Sequence, residues 1–192
     1  MTEDFKDKFT AARQAYSYLH GFQKTLGDTL SHLVKQLDNT NGLTFAKKST
    51  TLHTDHISMR QNPNGHDRWT WDWFPTYEYS VFYEWHSRPG TQILEVSFTG
   101  DDRWDGKSDI APTIAGAGEA QSTVDLFLWK HPESDFDWHT AWNNSDYPDE
   151  MSVWEHTESG MEVMHISVPI SSLETHQSIE AFAAKAREKF EG

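Results

Sequence analysis

Apolar residues in the first forty positions recur with the spacing of a helix. Phe5, Phe9, Ala12, Tyr16, Leu19, Leu26, Leu30, Leu33 and Leu37 follow alternating steps of four and three, and only Gln23 breaks the series. The pattern predicts a helix over 3–38, about 50 Å long if unbroken. Gly21 and Gly27 are the weak points at which it would kink or split. The flanking Lys6, Lys8, Arg13, Ala15, His20, Phe22, Gly27 and Val34 lack the complementary charges of a clean coiled coil. Phe22 and Val34 widen the stripe instead. The helix is therefore expected to lie on the domain's own sheet, with a homodimer through this N-terminal helix as the alternative. The run from Asp38 to Gly42 stops it.

The pattern then shortens to a period of two. Leu43–Lys47 and Thr50–Met59 are strand candidates, and Asn62 to Gly65 carries a turn signal. Trp69, Trp71 and Trp73 alternate with polar residues up to Pro75. From Thr76 to His86 the alternation resumes, with Tyr77, Tyr79, Val81, Tyr83 and Trp85 on one face and Glu78, Ser80, Phe82 and Glu84 on the other. The turn at Ser87 to Gly90 leads into Gln92–Phe98, which makes this pair the clearest hairpin. Ser122–Lys130 is a nearly continuous apolar run, as a central strand would be. Ser152–His156 and Glu162–Val168 flank a turn at Ser159 and Gly160. The stretches 100–121 and 131–150 have no period and are expected to be long loops. Ser172–Phe190 closes the chain as an amphipathic helix, with Ser171 and Glu174 spaced as a capping box.

Helix, six to eight strands, helix describes a single α+β domain over 1–192. It divides into a helical segment (1–40), a β-rich body with long acidic loops (43–169) and a C-terminal helix (172–190) packed on a mainly antiparallel sheet. The chain has no cysteine, which excludes disulfides, thiol catalysis and thiolate metal sites. The N-terminus has no apolar signal core, and no apolar run approaches the ~20 residues of a membrane span. A cytoplasmic protein is expected.

Charge changes the picture more than composition does. The net charge is −14. From Asp101 to Ala184, 17 acidic residues face only Arg103, Lys107 and Lys130, so this stretch alone carries the full excess. The same stretch holds Trp104, Trp129, Trp138, Trp142 and Trp154, which are read as aromatics of the exposed type. Such a field disfavours nucleic acid and anionic lipid and favours a basic protein or cationic ligand. Indoles beside carboxylates attract cations through cation–π contacts worth roughly 0.5–2 kcal/mol. Asp101, Asp102, Trp104 and Asp105 form one such group. Asp135, Asp137, Trp138, Trp142 and Asp146 form a second. These nine are the candidate binding residues.

Metal chemistry is the competing use of the same region. His131, Glu133, Asp135, Asp137 and His139 recur every second residue, and an extended chain would project them to one side. His131, Asp135, Asp137 and His139 are the ligand mix that suits a divalent metal, which would activate water for a hydrolase. The segment fails the calcium-loop template, having neither the turn glycine nor the terminal Glu. His53, Asp55 and His56, with His66 and Asp67 nearby, are a weaker cluster, because a strand would send His53 and His56 to opposite faces. The glycine-rich 114–120 piece lacks the strand, helix start and basic residue of a phosphate loop. No Gly-x-Ser-x-Gly elbow, His-Glu-x-x-His or kinase set is present.

The sequence favours a non-enzymatic binding or inhibitor/immunity-type protein that engages a basic partner through Trp- and Asp-rich loops and needs no cofactor. The alternatives are a metal-dependent hydrolase built on His131–His139 and a carbohydrate or small-ligand module with an aromatic pocket.

Overall fold

A computed structural model describes residues 3–38, 42–50, 78–100, 120–145, 147 and 154–191. Helix α1 spans Glu3–Leu37 without interruption, through both Gly21 and Gly27. Strands β1 (Leu43–Thr50), β2 (Glu78–Trp85), β3 (Thr91–Thr99) and β4 (Thr123–His131) follow. A six-residue helix α2 (Trp138–Asn143), a two-residue strand β5 (Glu155–His156), β6 (Glu162–Pro169) and helix α3 (His176–Glu191) complete the order.

The strands form one antiparallel sheet in the order β1-β2-β3-β4-β6-β5. Among the described residues, five strands are full length and β5 is a two-residue ladder at the edge. That is fewer full strands than the six to eight expected. The Thr50–Met59 and Trp69–Trp73 candidates lie outside the described residues. The hairpin is in place, with Glu84 opposite Ile93 and Val81 opposite Val96. β4, the most apolar run, sits inside the sheet between β3 and β6.

The period of two distributes the strand side chains to two different interiors. Val81, Tyr83, Trp85, Leu94, Val96, Phe98, Val124, Leu126, Leu128 and Met164 form the first face. The core there is closed by Leu26, Leu30, Leu33 and Leu37 of α1 and by Ile179, Ala183, Ala186 and Phe190 of α3. Burying each of the Val, Leu, Ile, Phe and Met side chains here stabilises the fold by about 1.5–3 kcal/mol. The two helices touch directly as well. The rings of His32 and His176 stack with centroids 4.4 Å apart, and the Arg187 guanidinium donates to the Gln36 carbonyl.

The helix ends are built differently from the sequence reading. Asp38 closes α1 by accepting the amides of Gly42 (2.7 Å) and Leu43 (3.2 Å). At the start of α3, the capping pair is Thr175 and Ser178, not Ser171 and Glu174. The Ser178 amide donates to the Thr175 hydroxyl and the Thr175 amide to the Ser178 hydroxyl, both at 3.1 Å. The reason is that Ile170–Leu173 forms a 3₁₀ turn, which delays the helix start. Among the described residues, no helix is long and apolar enough to cross a membrane.

Gln23 is the one polar residue in the buried stripe of α1. It is buried, and among the described residues its Nε2 has no hydrogen-bond partner. An unsatisfied buried donor costs about 1–3 kcal/mol. Gln23→Leu, which completes the apolar series, is expected to raise unfolding free energy by about that amount in urea titration. Unchanged or lower stability would mean that the amide is satisfied in solution.

Candidate functional site

The second face of the sheet is also covered, by a different set of residues. Phe82, Ile93, Phe127, Trp129, Met161 and Val163 point to it, and Ala141 with Phe136, Trp138 and Trp142 pack over them. Phe82 is the anchor. Trp138 stacks on it at 5.8 Å and Trp142 meets it edge-on at 4.8 Å. Helix α2 is thus held by its tryptophans. A helix of six residues has little stability of its own, so this packing is what forms it.

Polar groups on this face are tied to the aromatic ones. Glu95 on β3 is 0% exposed. Trp129 donates its indole N–H to Glu95 Oε2 at 3.0 Å, and the Tyr147 hydroxyl donates to Oε1 at 2.9 Å. Tyr147 in turn accepts from the Trp142 indole at 2.7 Å. A buried carboxylate is tolerable only with such donors. Trp129, expected in a central strand but counted among the exposed-type aromatics, is a buried core residue. Two residues along the same face, Ser80 donates to Ser97 at 3.0 Å.

Asp125 and His165 form the next polar pair, 2.9 Å apart, with the His165 ring stacked on Phe127 at 4.2 Å. Burial is the largest single influence on Asp125 and acts to raise its pKa. Hydrogen bonds from His165, Ser167 and Thr123 together outweigh it and hold the carboxyl below its ordinary value.

The candidate site is a cleft of about 510 Å³ where the β2–β3 turn meets the 134–138 segment. Its carboxylates are Glu84, Asp135 and Asp137, and Trp138, Phe136 and His86 also line it. Trp138 donates to Glu84 Oε1 at 3.1 Å, and His86 lies 3.5 Å from Glu84 Oε2. The lining arginine, Arg88, packs on the cleft's own Trp85 and reaches out to Glu191. Its guanidinium lies 3.6 Å over the Trp85 ring and pairs with Glu191 at 3.5 Å. Two contacts fix the walls. Thr91 donates its hydroxyl to the Glu133 carbonyl at 2.7 Å. Gly90 has a φ of +71°, and a Cβ there would collide with the His131 carbonyl, so glycine is required. On the far side of the turn is a second cleft of about 570 Å³, lined by Lys130, His131, Gly160 and Glu162. Lys130 there pairs with Glu162 at 2.9 Å and lies over the Trp154 ring at 3.6 Å.

Asp135, Asp137 and Trp138 of the expected binding set are brought together in the first cleft, and Trp142 packs behind it. Asp101, Asp102, Trp104, Asp105 and Asp146 lie outside the described residues, as do the His53–His66 cluster and residues 114–119. Glu84, His86 and Arg88 were missed. Their only sequence signal was position at the end of the hairpin.

The expected metal residues are not gathered. The 131–139 segment is not extended: it bends after β4 and becomes α2 at Trp138, so alternation in sequence is not alternation in space. His131 stacks on Phe136 at 3.7 Å, and its Nδ1 accepts the Glu133 amide at 3.2 Å. Asp137 caps α2, accepting the Thr140 hydroxyl at 2.7 Å and amide at 3.2 Å. The Thr140 hydroxyl, then its amide, hold the Asp137 carboxyl below its usual value. His139 meets Trp138 edge-on at 5.7 Å. Among the described residues, no three His, Asp or Glu side chains come together as a metal-binding group.

Fold and cleft together define an α+β protein with an antiparallel sheet buried on both faces and an acidic, indole-walled groove at one end. A family model described as PM0109 matches residues 2–191, and the chain belongs to that family. No curated protein and no solved structure matches.

Because the folded chain favours the Asp125 carboxylate, that group contributes stability at neutral pH. The contribution is lost as pH falls through the folded pKa, which lies below the ordinary value of an aspartate. Asp125→Asn is expected to cost about 1–3 kcal/mol at neutral pH and to flatten the acid limb of stability. Urea titrations at a series of pH values measure both. An acid limb as steep as the wild type's would assign the acid sensitivity to other carboxylates.

Proposed function

We propose that the chain is a non-enzymatic binding protein that takes a lysine- or arginine-bearing segment of a basic protein into the cleft beside Trp138. The observation that carries this reading is the cleft's composition. Glu84, Asp135 and Asp137 line it beside the Trp138 indole, and the arginine that lines it, Arg88, is paired with Glu191 and lies over the Trp85 ring. A cationic side chain entering the groove gains Coulomb attraction from three carboxylates and cation–π contact with Trp138. The wider acidic field of residues 101–184 supports the same partner chemistry, since it would speed the approach of a positive surface. An inhibitor or immunity role fits this chemistry, with the carboxylates filling a cationic site on the partner.

Lysine-rich peptide titrated against the full chain, followed by tryptophan fluorescence, tests the reading. Binding is expected to weaken steeply as ionic strength rises from about 0.01 M to about 1 M, where the Debye length falls from about 30 Å to about 3 Å. Asp135→Lys, an exposed change outside the capping contacts, is expected to weaken binding roughly tenfold, by about 1–2 kcal/mol. An affinity unaffected by Asp135→Lys, or no binding at low salt, would sink the proposal.

A further inference from the structure

The acidic cleft does not stand alone. Gly90 and Gln92 line both it and the second cleft, so the two adjoin along the β2–β3 turn. Opposite the turn, the partition between them is a pair of rings. Phe136 belongs to the first cleft and His131 to the second, and they stack with centroids 3.7 Å apart. Gly90 holds turn and partition together, because only a residue without a Cβ lets the His131 carbonyl come so close.

The second cleft, of about 570 Å³, has a different chemistry. Its two charged residues, Lys130 and Glu162, are cross-strand partners and pair with each other at 2.9 Å. The Lys130 ammonium also covers the Trp154 ring. A charged group entering here meets charges already balanced, whereas in the first cleft it meets carboxylates. The Gln92 amide is turned back on its own turn, donating to the Pro89 carbonyl at 3.2 Å. An occupant is left with the rings of Pro89 and Pro132, glycine backbone and one polar atom. That atom is His131 Nε2, which lies 4.0 Å from where a Cβ on Gly160 would stand. His131 Nδ1 accepts the Glu133 amide, so the neutral ring carries its proton on Nε2. Among the described residues this N–H has no acceptor.

We propose, resting on the reading that the first cleft takes a lysine or arginine, that the partner segment is bipartite. It is an extended stretch whose cation enters the first cleft and whose apolar side chain, two residues away, enters the second. The apolar choice follows from the balanced charges and the proline walls. The extended backbone follows from the geometry. Side chains two residues apart lie on one side of such a segment, about 7 Å apart at the backbone, and straddle the stacked ring pair. A helix turns residues two apart to different faces. The segment's own carbonyls also provide the acceptor that the His131 N–H lacks, which a free amine or hydrocarbon does not.

Three blocked peptides test this on the full chain, followed by tryptophan fluorescence: Lys-Gly-Leu-Gly-Lys, Lys-Gly-Gly-Gly-Lys and Lys-Gly-Glu-Gly-Lys. The first two carry equal charge, so the ratio of their affinities reads the second cleft alone. The leucine peptide is expected to bind roughly tenfold tighter than the glycine peptide. That ratio is expected to persist as ionic strength rises, while both affinities fall. The glutamate peptide is expected to be the weakest. Pro89→Gln and Pro132→Gln, two exposed positions of the second cleft, are each expected to bring the ratio near one. Asp135→Lys is expected to weaken both peptides alike. A wild-type ratio near one, a tenfold ratio that survives both proline substitutions, or tightest binding of the glutamate peptide overturns the bipartite inference and leaves the reading of the first cleft standing. Binding by none of the three at low salt overturns both.

Discussion

The leucines of α1 press against a sheet that is itself buried on its other side, and that double burial governs the rest of the structure. Once Leu26, Leu30, Leu33 and Leu37 are committed to the sheet, the first-face positions they cover must be apolar, as Val81, Tyr83, Leu94, Val96, Leu126 and Leu128 largely are. The buried polar pairs of the sheet then fall on the opposite face. In most antiparallel sheets with one covered face, the other is left to water. Here α2 and its tryptophans close it, so the polar residues on that face must satisfy one another. This is why Glu95, Asp125, His165, Ser80 and Ser97 appear as hydrogen-bonded pairs rather than as hydrated side chains.

The indole N–H groups do much of that work. Trp129 and Trp138 each donate to a carboxylate on the sheet, and Trp142 reaches one through Tyr147. The aromatic rings exclude water and the same side chains supply the donors that the loss of water makes necessary. At the turn end of the sheet, this arrangement opens into the acidic cleft. Trp138 belongs to both, packing on Phe82 with its ring while its N–H holds Glu84 at the cleft wall.

Much of the fold was legible because it is written in periods. The stripe from Gln23 to Leu37 and the alternation through β2 and β3 repeat often enough to identify the elements and the faces they bury. Helix α2 was not legible. It is six residues long, lies among dense acids, and forms because Trp138 and Trp142 find Phe82, more than fifty residues earlier in the chain. Glu95 was hidden for a related reason. A carboxylate between Leu94 and Val96 looks like a solvated strand position, and its donors Trp129 and Tyr147 come from 34 and 52 residues away. The local density of acids and indoles did mark Asp135, Asp137 and Trp138. The other wall, Glu84 and His86, arrives through tertiary pairing that no local pattern reports. The metal spacing misled because it assumed an extended backbone where the chain bends and coils.

The packing of α1 against α3 also has a consequence for how the protein is made. The first helix and the last one in this element order complete the same core, with the whole sheet between them. On a ribosome adding about 5–20 residues per second, the leucines of α1 emerge on the order of ten seconds before Ile179, Ala183, Ala186 and Phe190. During that interval the stripe is a sticky surface with only an incomplete sheet to shelter it. The nascent chain thus carries its greatest aggregation hazard from its first helix onward, and the hazard ends only when the final helix docks.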